Sequence, residues 1–180
     1  MNKFELEIDA SENLVDITPL VKSYIAEKRL KKGMVHITVP GKTSAVMISI
    51  NDDRRMEREF FNKINHLMPK YDGMMFTGWT TSSVKAALFG VNETLMVEKG
   101  CLILDAVQSI YFVEFQGPGK RCFFISSFGA ELDDGETAEI PDALAQQFKI
   151  HQNAKEEEAK MIEEMRREWQ ESHPEVVPKK

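Results

Sequence analysis

Residues 108 to 121 read Gln-Ser-Ile-Tyr-Phe-Val-Glu-Phe-Gln-Gly-Pro-Gly-Lys-Arg, an aromatic and β-branched run that suits a strand and carries a carboxylate near its end. Strand alternation sends Gln108, Ile110, Phe112 and Glu114 to one face and Ser109, Tyr111, Val113 and Phe115 to the other. Glu114 therefore shares its face with large apolar side chains. Leaving a buried carboxylate ionised without a partner costs several kcal/mol, so this residue must be salt-bridged, ligand-bound or protonated. Two readings follow. Glu114 is an anchor or base in a site, or it is a strand-end glutamate paired with Lys120 or Arg121 beyond the Gly117-Pro118 turn.

The 180 residues suit one domain with an appendage, and 42% hydrophobic content is enough for an ordinary core. No apolar run approaches the length of a membrane span, and the start lacks the order of a signal peptide, so a soluble, cytoplasmic chain without membrane contact is expected. Cys101 and Cys122 lack metal-ligand spacing and read as buried reduced thiols. From Glu131 to Lys180 there are 14 acidic and 7 basic residues, a net of −7 against −6 for the whole chain, which leaves residues 1–130 close to neutral. Such a body does not present the basic surface that nucleic acid needs.

Alternation over Phe4 to Ile8 predicts a first strand. Thr18 followed by Pro19 predicts a capped helix running to about Leu30, where Lys31, Lys32 and Gly33 stop it. Strands are expected over Met34 to Val39 and Ser44 to Ile50, joined by a turn at Pro40 to Thr43. An amphipathic helix follows from about Asp53 to Leu67, with Met56, Phe60, Ile64 and Leu67 at helical spacing, and Asn51, Asp52 and Asp53 read as its cap. Met68 to Gly78 is loop-like, and Thr80 to Ser82 offers hydroxyl caps for a short helix ending at Gly90. Further strands are expected over Thr94 to Glu98, Ala106 to Phe115 and Arg121 to Ser127. An acidic linker then leads to one long helix from Pro141 to about Ser172, whose thin apolar stripe suits a surface or a subunit boundary.

Gly41, Lys42, Thr43 and Ser44 look like the end of a phosphate loop, but the glycine a Walker loop needs five positions earlier is His36, and a strand rather than a helix follows. A lysine beside two hydroxyls still suits one anionic group. Thr80 to Ser83 with Lys85 is likewise a helix start that caps itself or attracts an anion. The histidines, His36, His66, His151 and His173, lack a spacing that would bring three to one metal, so no metal site is expected, and the residues name no cofactor.

The run from Gln108 and Ile110 to Glu114, Phe115, Gly117 and Pro118 resembles the Gln-Gly-Ile/Val to Glu-Phe-Asp-Gly-Pro pattern of the YjbQ-like family, some of whose members are called secondary thiamine-phosphate synthases. Pro40 to Ala45 is similar to that family's Pro-His-Thr-Thr/Ser-Ala, Asn51-Asp52 to its Asn-Glu, Ser82 to Lys85 to its Ser-His-Ile-Lys, and Val97 to Gly100 to its His-Lys-Gly-like turn. The likeness covers roughly Phe4 to Phe128. It implies an α+β domain at 1–130, chiefly an antiparallel β-sandwich with flanking helices, followed by an acidic linker at 131–140 and a long C-terminal helix and tail at 141–180. It also implies a homo-trimer and the joining of a thiazole phosphate to a pyrimidine pyrophosphate. Where the family pattern has histidines, this chain has Gly41-Lys42, Ser83 and Glu98, and its aspartates give way to Gly78 and Trp79. The expected site is thus a small-anion pocket with Glu114 and Lys42 in the catalytic positions and Lys42, Thr43, Ser44, Asn51, Ser83, Lys85 and Gln108 holding the ligand. The rival expectation is a non-catalytic oligomeric binding or assembly protein that has lost the family active site.

Overall fold

The computed structural model describes residues 1–51, 56–69 and 80–172. Asp52, Asp53, most of the Met68 to Gly78 loop, Trp79 and His173 lie outside them. The elements run β1 (Asn2–Ile8), β2 (Asn13–Asp16), α1 (Thr18–Glu27), β3 (Leu30–Thr38), β4 (Ser44–Ile50), α2 (Met56–Leu67), α3 (Thr81–Phe89), β5 (Asn92–Glu98), β6 (Cys101–Leu102), β7 (Gln108–Glu114), β8 (Gly119–Glu131) and α4 (Asp142–Ser172). A five-stranded sheet in the order β1-β8-β3-β5-β6 faces a three-stranded sheet in the order β2-β7-β4, and the strand pairings are antiparallel. This is the expected α+β sandwich with flanking helices and a C-terminal helix.

Side-chain alternation makes the layers. On β7 and β4, Ile110, Phe112, Val46 and Ile48 point into the sandwich, where they meet Phe123, Ile125, Val35, Ile37, Leu95 and Val97 of the larger sheet and Val21, Tyr24 and Ile25 of α1. The alternate residues Ala45, Met47, Tyr111, Val113 and Phe115 face outward and are covered by α2 and α3 through Phe60, Phe61, Ile64, Ala86 and Phe89. Phe61 and Phe89 each pack on the Phe115 ring, at centroid distances of 6.0 and 5.7 Å. The three-stranded sheet is therefore apolar on both faces, which is why β7 reads as a nearly continuous apolar run.

Four local expectations need correction. Thr18 does not cap α1 with its hydroxyl; Ile17 is the N-cap, and the Thr18 Oγ1 instead accepts the Ile110 N–H at 2.8 Å, pinning the helix start to β7. The helix ends at Glu27 rather than Leu30, because Arg29 turns into a left-handed conformation at φ 49° and Leu30 enters the core as the first residue of β3. Lys31 and Lys32 are thus strand residues, not a helix stop. β8 runs on through Glu131, so the connection to α4 begins at Leu132. Cys101 and Cys122 are half-buried rather than buried, as both lie in the five-stranded sheet with part of the side chain in solvent.

Where β8 crosses β3, Gly33 lies directly opposite Gly129. A Cβ at Gly129, whose φ is +150°, would sit 2.1 Å from the Lys32 carbonyl, and one at Gly33 would sit 2.1 Å from that of Phe128. The strands approach this closely only because both residues lack a side chain. Gly129→Ala should therefore lower stability by about 2 kcal/mol or more, read as an earlier urea midpoint at unchanged slope.

Candidate functional site

Glu114 ends β7 on the inner face of the sandwich and is fully buried. Four donors converge on its carboxylate. Thr43 Oγ1 donates to Oε1 at 2.6 Å and the Gln116 N–H to the same oxygen at 2.9 Å. Ser44 Oγ and Arg121 Nε each donate to Oε2 at 2.6 Å. Burial pushes the carboxyl toward a higher pKa, but the bonds from Arg121, Ser44, Thr43 and Gln116 together outweigh it and hold Glu114 below the ordinary carboxylate range. It is an ionised acceptor with its lone pairs occupied, and the partner is Arg121, one of the two bases that the sequence offers beyond the turn.

The same turn links both sheets. Register places Ser44 beside Glu114 on β4, and the Phe115 N–H bonds to the Thr43 carbonyl at 2.9 Å, so the chain before β4 is fixed to the end of β7. Arg121 reaches across from β8, with Nη1 and Nη2 on the carbonyls of Lys120 and Gln116. Lys42 stands on the turn before Thr43, is exposed, and makes no ion pair among the described residues.

On the other side of β7, Phe115 is held by α3. Ser82 Oγ donates to the Phe115 carbonyl at 2.9 Å, and Lys85 Nζ lies 5.9 Å from the centre of its ring. Lys85 is buried, and its ammonium donates to the Asn65 Oδ1 and lies 3.4 Å from Glu12 Oε1. Asn65 Nδ2 in turn donates to Glu12 Oε2 at 2.8 Å, closing a triangle between α2, α3 and the β1–β2 connection. Ser83 forms a capping box with Thr80, each side chain bonded to the other's backbone N–H.

Asn51 and Gln108 stand elsewhere. They follow and begin β4 and β7 at the end of the small sheet opposite Glu114, about 20 Å along the strand. Asn51 Nδ2 donates to Ser109 Oγ at 3.0 Å, and Gln108 Oε1 accepts the Asp105 N–H at 3.2 Å. So Thr43, Ser44 and Glu114 form one cluster, Lys85 a second on the opposite face of β7, and Asn51 and Gln108 a third position. Glu12 and Asn65 had no signal in the sequence, since they lie 73 and 20 residues from Lys85 and meet it only through the layer packing.

Removing one partner from a buried ion pair is far more costly than removing an exposed one, so Glu114→Gln should lower stability at neutral pH by about 3 kcal/mol. Because the folded-state pKa is depressed, the stabilisation from Glu114 is complete above its unfolded value of about 4.3 and is lost as pH falls through the lower folded value. Urea midpoints of the two proteins should converge as the pH drops below about 4.

The chain matches the family model described as "UPF0047 protein YjbQ-like" over residues 2–130. A UPF0047 protein of Methanocaldococcus jannaschii is 33% identical over 128 residues, which is 71% of this chain and 93% of that one. The UPF0047 protein YugU of Bacillus subtilis is 27% identical over 132 residues, 72% of this chain and 99% of its own. The crystal structure of a YjbQ/UPF0047 protein from Clostridium acetobutylicum superposes with a TM-score of 0.67 at 29% identity, covering 71% of this chain and all of the other. With the sandwich, the register of β4 and β7, and this coverage together, the chain belongs to the YjbQ/UPF0047 family.

Proposed function

We propose that this chain is a non-catalytic binding member of its family, which self-associates, as the resemblance to a trimeric scaffold implies, and at most holds a small anion at Lys42. What supports the reading above all is the closed state of Glu114. A general base must present a free lone pair to a substrate proton, and both oxygens of this carboxylate are taken by donors from the chain itself. Thr43 and Ser44, which would otherwise donate to a phosphate, spend their hydroxyl protons on the same carboxylate.

The remaining groups point the same way. Lys85 is buried against Glu12 and Asn65, and Ser83 caps α3, so neither offers a free donor to a phosphorylated substrate. Three positions that resemble family histidines carry Gly41-Lys42, Ser83 and Glu98, which removes the groups that would shuttle protons near neutral pH. Lys42 alone is a single hydrated charge. It attracts an anion weakly and cannot orient two phosphorylated reactants against each other.

Incubating the purified chain with the thiazole phosphate and the pyrimidine pyrophosphate should give no thiamine phosphate above a protein-free blank, with Lys42→Ala indistinguishable from the unaltered chain. Product that forms with the unaltered chain and disappears in Lys42→Ala would overturn this reading and restore a catalytic one.

A further inference from the structure

α4 does not close tightly onto the body along its first two turns. Leu144 is buried, but Phe148, four residues on and on the same helix face, is 36% exposed, and Ile140 just before the helix is 57% exposed. Beneath them lies a cavity of about 310 Å³, walled on its other sides by Ile25 of α1 and Leu102 of β6, both members of the apolar core. Protein interiors seldom leave voids much larger than a water molecule, so this seam keeps apolar surface that its own side chains do not cover. The wall from α4 lies beyond residues 2–130, and the cavity is therefore closed by a helix outside the family match.

Charge in the lining has one sign. Lys22 of α1 is its only charged side chain among the described residues, and there it makes no ion pair or hydrogen bond. By contrast, Lys28, Lys31, Lys32 and Lys99 of the neighbouring elements each pair with a glutamate. Cys101 of β6 adds a half-buried free thiol.

We infer that this cavity binds a medium-chain monocarboxylate, its hydrocarbon tail against Ile25, Leu102, Leu144 and Phe148 and its carboxylate at Lys22. At about 30 Å³ for each water-sized group, 310 Å³ has room for about ten non-hydrogen atoms, the number in octanoate. Apolar walls with one polar anchor are the usual build of a small-molecule site, and here they set the class of ligand. A pure hydrocarbon would leave the ammonium unused, and a polyanion would bring several charges against apolar walls with a single cation to meet them. Lys22 is exposed, so its ion pair stays partly in solvent and contributes modestly, while burial of the tail supplies most of the affinity. The cavity shares no residue with the Glu114 cluster or with Lys42, and it stands whether or not an anion is held there.

Titration calorimetry on the full chain with hexanoate, heptanoate and octanoate tests this. Octanoate should bind saturably at one site per chain, and each methylene from hexanoate to octanoate should tighten binding about fourfold. Lys22→Met keeps the apolar stem and removes the charge, so it should weaken octanoate about fivefold while leaving the gain per methylene unchanged. Ile140→Trp puts an indole over the cavity from an exposed position and should abolish binding of all three acids. Alkylation of the unaltered chain with iodoacetamide, read peptide by peptide, then locates the site: octanoate should slow modification of Cys101 and leave Cys122, on β8, at its original rate. Circular dichroism reports whether each variant has folded, and the protection of Cys101 decides the matter if Ile140→Trp has not. The inference is overturned by an absence of saturable octanoate binding, by equal affinity for the three acids, or by protection of Cys122 as strong as that of Cys101. Folded Lys22→Met protein that binds octanoate as tightly as the unaltered chain would overturn it too.

Discussion

An ionised carboxylate between two sheets is tolerable only if the chain surrounds it with donors, and Glu114 obtains them from three separate stretches. Thr43 and Ser44 arrive with the last turn residue and the first residue of β4, Gln116 with the turn after β7, and Arg121 with β8 of the opposing sheet. Each stretch is held where it is partly because the carboxylate is there. The ion therefore works as a clamp at one end of the sandwich, where the apolar core gives way to turns. Desolvation costs several kcal/mol, and the short charged bonds at 2.6 Å offset it.

That clamp also explains why residues that look like a ligand-binding set can be chemically quiet. A lysine, several hydroxyls, an amide and a glutamate within two short motifs suggest a pocket when their side chains are free. Here the hydroxyls face inward to the glutamate, while Lys85 faces the other layer and meets Glu12 and Asn65. The two clusters lie on opposite faces of β7, separated by the sheet itself. Register decides this, because Glu114 and Phe115 are neighbours in sequence and must point to opposite sides.

Much of the fold was legible for one physical reason: β4, β7 and α2 each carry an apolar pattern long enough to fix their type. Legibility failed where the deciding contact is distant. Nothing near Asn13 to Asp16 announces β2, a four-residue strand made by pairing with β7, and β6 has only two residues held by β5. Leu30 looks like the last residue of a helix because its burial is visible only once β3 is in place. Of the candidate site, the Glu114 to Arg121 pair could be read from seven residues of separation, whereas the partners of Lys85 could not. The long C-terminal helix was also legible, but its anchorage was not. α4 lies beyond the matched residues 2–130 and is attached through buried Leu144 and through His151, whose Nε2 is 3.1 Å from Asp105 Oδ1.

β8 is the longest strand, at 13 residues, and pairs with β1 along one side and β3 along the other. Phe4 finds its cross-strand partner only at Phe123, and Asn2 only at Ile125. During synthesis the N-terminal strand therefore emerges from the ribosome long before the segment that completes its hydrogen bonds. Until then both of its edges are unpaired, with apolar side chains on one face, the condition in which nascent β-proteins most readily join the wrong neighbour. Its alternation of Lys3, Glu5 and Glu7 with apolar residues leaves charges along that waiting edge, a built-in deterrent to premature pairing.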